Sequence, residues 1–85
     1  MSNFEVEHIV WEDRIYKDVG EKIYGLCEIE LIWHGGGSDR YIAQGTYEFT
    51  DRGRFTHSHG LGMTIDENTM GLAGVNLIRV GTILK

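Results

Sequence analysis

The chain has 85 residues and a formal charge of −5, with 13 acidic side chains against 8 lysines and arginines. That length allows a single domain, one that buries only about 60 % of its unfolded-chain surface, so a second subunit would add useful cover. An acidic balance without a basic cluster excludes the nucleic-acid backbone as a partner.

The N-terminal stretch MSNFEVEHIVWED has neither a basic segment nor an unbroken apolar run. The expectation is therefore a cytoplasmic protein with no leader and no membrane anchor. The one cysteine, Cys27, rules out an internal disulfide and suits a reducing compartment.

Residues 4–11 alternate Phe4, Val6, His8 and Val10 against Glu5, Glu7 and Ile9, which predicts a first strand ending near Trp11. Residues 14–17 read as a short second strand, with a single helical turn over 13–19 as the alternative. After a turn at 18–21, residues 22–34 read as a long strand rich in Ile, Leu, Tyr and Trp. Its faces are Ile23, Gly25, Cys27, Ile29, Leu31, Trp33 and Tyr24, Leu26, Glu28, Glu30, Ile32, His34.

The loop Gly35-Gly36-Gly37-Ser38 is permissive enough to close at several lengths. If all four residues form it, His34 pairs with Asp39 and Glu28 faces Gly45. If it is one residue shorter, Cys27 takes that place, and hydrophobic patterning favours this second register because an inward Glu28 needs a partner.

Residues 41–50 and 54–64 alternate as two further strands joined by the turn Asp51-Arg52-Gly53. Pairing Thr50 with Arg54 sets Phe49 against Phe55, Tyr47 against His57, Gly45 against His59, Ala43 against Leu61 and Tyr41 against Met63. Both apolar sides then share one face. Asp66-Glu67-Asn68-Thr69 is a polar turn. Residues 70–85 read as one or two strands broken at Gly74 or Gly81, apolar on both sides, a pattern most simply covered by another subunit.

His57-Ser58-His59 places two imidazoles about 7 Å apart at Cα on one face of a strand, close enough to share a metal ion or a proton relay. Glu28, if inward, would complete an acid–base group with His57 and His59. A hydrogen-bonded core histidine is the commoner outcome for so short a motif, and no metal or other cofactor is assigned. Tyr41, Tyr47, Phe49, Phe55 and Met63 surround the pair, either as ordinary core or as the lining of a small, mostly apolar ligand site.

The His-x-His spacing resembles the first cupin motif, which runs from a glycine through His-x-His to a glutamate and a later glycine. Gly53 stands nearer to His57, and Glu67 farther from His59, than that motif sets them, and no second motif follows. The overall strand pattern is similar to calycin and allene oxide cyclase barrels. The expected fold is thus all-β, a small antiparallel meander of about six strands rolled into a barrel or half-barrel, possibly completed by a second subunit. The first functional reading is a small-molecule-binding barrel with light cyclase-like or isomerase-like acid–base chemistry. The alternatives are a non-enzymatic interaction module, such as an inhibitor or assembly factor acting through apolar edge strands and an acidic surface, and a cupin-like metal site at His57 and His59. A homodimer is the expected assembly.

Overall fold

The computed structural model describes residues 8–12, 19–58, 60 and 62–84. The expected strand at 14–17 and the start of the first strand lie outside the described residues. The described chain forms six strands in one antiparallel sheet: β1 (Ile9–Trp11), β2 (Lys22–Trp33), β3 (Ser38–Glu48), β4 (Arg54–His57), β5 (Thr64–Ile65) and β6 (Leu72–Ile83). Their order across the sheet is β1-β6-β2-β3-β4-β5. The run from β2 to β5 is the expected meander, and β6 then crosses back to lie between β1 and β2.

The long apolar strand forms as its alternation predicts, and glycine chemistry closes the first hairpin. Gly36 and Gly37 have φ of 94° and 86°. Trp33 N donates to Gly37 O and Gly36 N donates to Trp33 O, so the reversal occupies residues 34–36. The pairing is therefore three residues from the first register expected from sequence and two from the second. Cys27 points inward as the patterning favours, yet it stands opposite Ala43, while Gly25 stands opposite Gly45.

The second hairpin also differs. Glu48 pairs with Arg54, Tyr47 with Phe55 and Gly45 with His57, a slip of two residues from the expected pairing. A slip of two preserves which face each side chain occupies, so the hydrophobic pattern could not detect it. The physical reason is that Phe49 keeps pairing with the other neighbour: Phe49 N donates to Glu21 O, and Gly20 N donates to Phe49 O. The chain then departs toward β6, where Val75 N donates to Arg52 O at 2.7 Å.

That contact folds the inner face over on itself. Tyr47 is opposite Ile23 and Val75 opposite Leu31, far apart along β2, and yet the Tyr47 hydroxyl donates to Val75 O at 2.6 Å. Register shifts in the β2–β6 ladder, leaving Ile78 and Ala73 as extra residues of β6, supply the added coiling. The sheet rolls without closing into a barrel. Its core is Cys27, Ile29, Ala43, Tyr47, Phe55, Ile65, Leu72 and Val75, with Leu31, Trp33, Tyr41, Phe49 and Leu77 packed at the margin.

The last strand is apolar on both sides because it is central. Val80, Val75 and Leu72 face inward, while Gly81 and Ile83 face outward, where Ile9 and Trp11 of β1 lie over them. Gly74 and Gly81 do not break it. Among the described residues, no helix is long and apolar enough to cross a membrane.

Candidate functional site

Two surfaces compete as the functional site, and they are opposite faces of the same sheet. The inner one holds the aromatic group expected from sequence. Phe55 is fully buried, and its ring fills the space that Gly45 leaves, since a Cβ on Gly45 would stand 2.7 Å from Phe55 Cζ. Tyr41 meets Phe55 edge-on at 6.3 Å between centroids, and Tyr47 meets Phe49 likewise at 4.9 Å. These residues come together, but as a packed core.

The polar tips fare differently. The Tyr47 hydroxyl is committed to Val75 O, and burial raises its pKa, so it stays a neutral donor tied to the backbone. His57 is half-buried, with its ring 6.1 Å from Tyr41 and 6.5 Å from Phe55. His59 lies outside the described residues. Met63 is 55 % exposed, and its carbonyl accepts from His57 N. Among the described residues, no group of three or more His, Cys, Asp or Glu could hold a metal ion.

Glu28 does not join the histidines. The register that turns Cys27 inward turns Glu28 outward, on the opposite face of the sheet from His57. Cys27 likewise offers no nucleophile. Among the described residues its thiol reaches the carbonyls of Gly25 and Gly45, at 3.6 and 3.9 Å, and burial, aided by the charge of Glu12, pushes its pKa up to about 11.

The outer face is built around Glu28. Although it faces away from the core, the residue is only 8 % exposed. Arg79 Nε donates to its Oε1 at 2.6 Å, and Arg40 Nη1 stands 3.9 Å from Oε2. The Arg79 guanidinium in turn lies 3.9 Å from the centroid of the Trp11 ring, a cation–π contact that fixes the ion pair under an aromatic lid. Gly81 makes this possible, because a Cβ there would stand 2.9 Å from the Trp11 ring.

Beside this charged centre, Tyr24 is 64 % exposed and Ile83 42 % exposed. Side-chain hydrogen bonds with Gln44 and then Ser58 lower the Tyr24 phenol pKa. Tyr24, Leu26, Gln44, Gly81 and Ile83 line an open groove of about 410 Å³. Sequence reasoning assigned no role to Trp11, Arg79 or Tyr24. The available signal was the outward set Tyr24, Leu26, Glu28 and Glu30, a strand face too apolar to be bare solvent surface. No known protein family, no characterised protein and no solved structure matches this chain.

Proposed function

We propose that this chain is a non-enzymatic interaction module that binds another protein through the outer face of β1, β6 and β2. One observation carries the reading: the exposed groove beside Tyr24 and Ile83 adjoins the Trp11–Arg79–Glu28 stack, so Tyr, Trp and Arg are concentrated on one preorganised surface. Those residue types dominate binding energy at protein interfaces. The filled interior supports it from the other side, since the aromatic residues that would line a ligand site pack on one another. A lone buried cysteine supports action in the cytoplasm.

Photo-crosslinking in cells tests this. A crosslinker placed at Tyr24 or Ile83 is expected to capture a protein partner, and one placed at exposed Asp51 or Glu67 is not. Equal capture at all four positions, or none, would overturn the assignment.

A second reading keeps a small apolar ligand on the inner face, near His57, and one observation favours it. His57 is a half-buried polar group flanked by the rings of Tyr41 and Phe55 at the margin of the core. Native mass spectrometry of the purified chain would reveal a retained ligand, lost in Tyr41→Ala. A bare polypeptide mass removes this reading.

A further inference from the structure

Strand β3 is much longer than the strand beside it. It runs Ser38–Glu48, whereas β4 pairs with it only from Gly45 to Glu48. Ser58 prolongs the ladder by one step, its N and Oγ both donating to Gln44 O at 3.1 and 3.0 Å. The chain then turns back, with His57 N donating to Met63 O. Among the described residues, no strand lies beside residues 38–43 on that side.

The hydrogen-bond pattern says which groups are left at this edge. Phe49 exchanges backbone bonds with Gly20 and Glu21, so odd-numbered residues of β3 aim their backbone at β2. Gln44 accepts from Ser58, so even-numbered residues aim at the other side. Ser38, Arg40 and Ile42 therefore present their N–H and C=O groups along an open edge. Ile42 is 46 % exposed beside them. An open edge of this kind is a template for another strand.

We propose that this edge is where two copies of the chain join, antiparallel about a two-fold axis at Tyr41. Outward-pointing residues must oppose one another, which leaves few registers. Setting Arg40 against the partner's Arg40 opposes like charges on the outer face, and setting Asp39 against the partner's Asp39 does so on the inner face. Setting Ile42 against the partner's Ile42 brings the partner's Arg40 to Gln44, whose carbonyl Ser58 already occupies, and leaves only the Ile42 pair to exchange backbone bonds. Setting Tyr41 against the partner's Tyr41 keeps two Arg40–Ile42 pairs and loses to Gln44 only the terminal Ser38 step.

In that register Arg40 opposes the partner's Ile42, and the aliphatic stem of the arginine covers the exposed isoleucine. Its charge is offset by Glu28 at 3.9 Å, which Arg79 shares, and by Glu30, which stands opposite Arg40 on β2, so bringing the two arginines diagonally near one another carries little penalty. Tyr41 meets the partner's Tyr41 in a closely spaced pair on the inner face. This extends the core at the margin where Leu31, Trp33 and Tyr41 are only partly buried. The occupant is a second copy because this edge covers its own exposed groups: each exposed Ile42 meets an arginine stem, and the two partly buried Tyr41 rings close on one another. This assembly is independent of what the Tyr24 groove binds.

Sedimentation of the intact chain at tens of micromolar tests it, and a dimer is expected. Ile42→Pro removes an edge N–H at a position where proline is tolerated, and should give a folded monomer by circular dichroism. Ile42→Lys should do the same, and Val10→Lys at the opposite edge should leave the dimer intact. Under oxidation, Tyr41→Cys should form an intermolecular disulfide and Asp39→Cys should not. A monomeric wild type would leave the edge to a strand from another protein and overturn the proposal. So would a dimer surviving both Ile42 substitutions, or stronger cross-linking through position 39. Either failure leaves the crosslinking result at Tyr24 unaffected.

Discussion

The two faces of this sheet solve the same problem in opposite ways. On the inner face, glycines make room for neighbours: Phe55 enters the gap at Gly45, and the backbone of Val75 and the Tyr47 hydroxyl close over Gly53. On the outer face, Gly81 makes room for Trp11, but what Trp11 covers is an ion pair rather than a hydrocarbon core. Apolar area removed from water stabilises the first in proportion to its extent. The second gains little net stability, because Arg79 and Arg40 remain substantially exposed and exposed ion pairs contribute on the order of 0–1 kcal/mol. Stability thus resides mainly on the inner side of the sheet, and the surface proposed for recognition lies on the other.

The sharpest way to break that contrast is at the seam. Gly53 has φ of 77°, and a Cβ there would run into Val75 O and the Tyr47 hydroxyl. Gly53→Val is expected to cost about 3 kcal/mol or more in urea denaturation, from backbone strain plus overpacking. Gly60 also has positive φ, 61°, but opens on empty space, so Gly60→Val should cost about 1 kcal/mol. Equal costs would mean that closure over Gly53 does not hold the inner face.

Gly45→Ala comes next. The added methyl would run into the Thr56 carbonyl of β4 as well as the Phe55 ring, so backbone and ring must both shift, and a loss of roughly 2 kcal/mol or more is expected. A neutral or stabilising outcome would reveal spare room in the interior and revive the ligand reading.

The third effect depends on pH. Burial raises the Cys27 thiol pKa from its ordinary 9.0 to about 11, so the fold favours the neutral form. That contribution is fully present below pH 9 and is lost as pH rises toward 11 and beyond, by an amount on the order of 2 kcal/mol or less. The difference in stability between wild type and Cys27→Ala should shrink over that window. A constant difference would place the thiol in contact with water.

The smallest effect belongs to the outer face. Glu28→Gln keeps the shape and weakens the bond from Arg79, for about 1 kcal/mol, with the inner-face packing unchanged. A loss comparable to that of Gly53→Val would make the ion pair a structural keystone and undo the division between the two faces.

Much of this was legible in the sequence. Period-two alternation located β2, β3 and the start of β4, assigned Cys27, Tyr47 and Phe55 to the buried side, and marked Gly53 as the turn glycine with positive φ, but the strand expected over 54–64 ends at His57 and returns as β5. Register was not legible, because shifts of two residues leave every side chain on the same face and therefore carry no hydrophobic signal. The contact that rolls the sheet was missed for a related reason. The reach of Arg52 and Tyr47 to Val75 uses backbone carbonyls and amides, which every residue has. The outer site stayed hidden because Trp11, Glu28 and Arg79 lie on three separated strands that meet only once β6 has crossed back. His57 and His59 drew attention by adjacency, yet a strand places neighbours in sequence far less selectively than it places neighbours across the ladder.

The position of β6 has a consequence for how the molecule is made. Because β6 sits between β1 and β2, the first strand has no place in the sheet until the last one arrives, and residues such as Leu26 and Gly81 must find one another across most of the chain. Contacts of such long sequence separation form slowly. A ribosome emitting this chain would therefore release the local hairpin of β2 and β3 early, while β1 waited for β6 to be made. Loss of the final strand would detach the opening one as well, so that the beginning and end of the described sheet are held, or given up, as one unit.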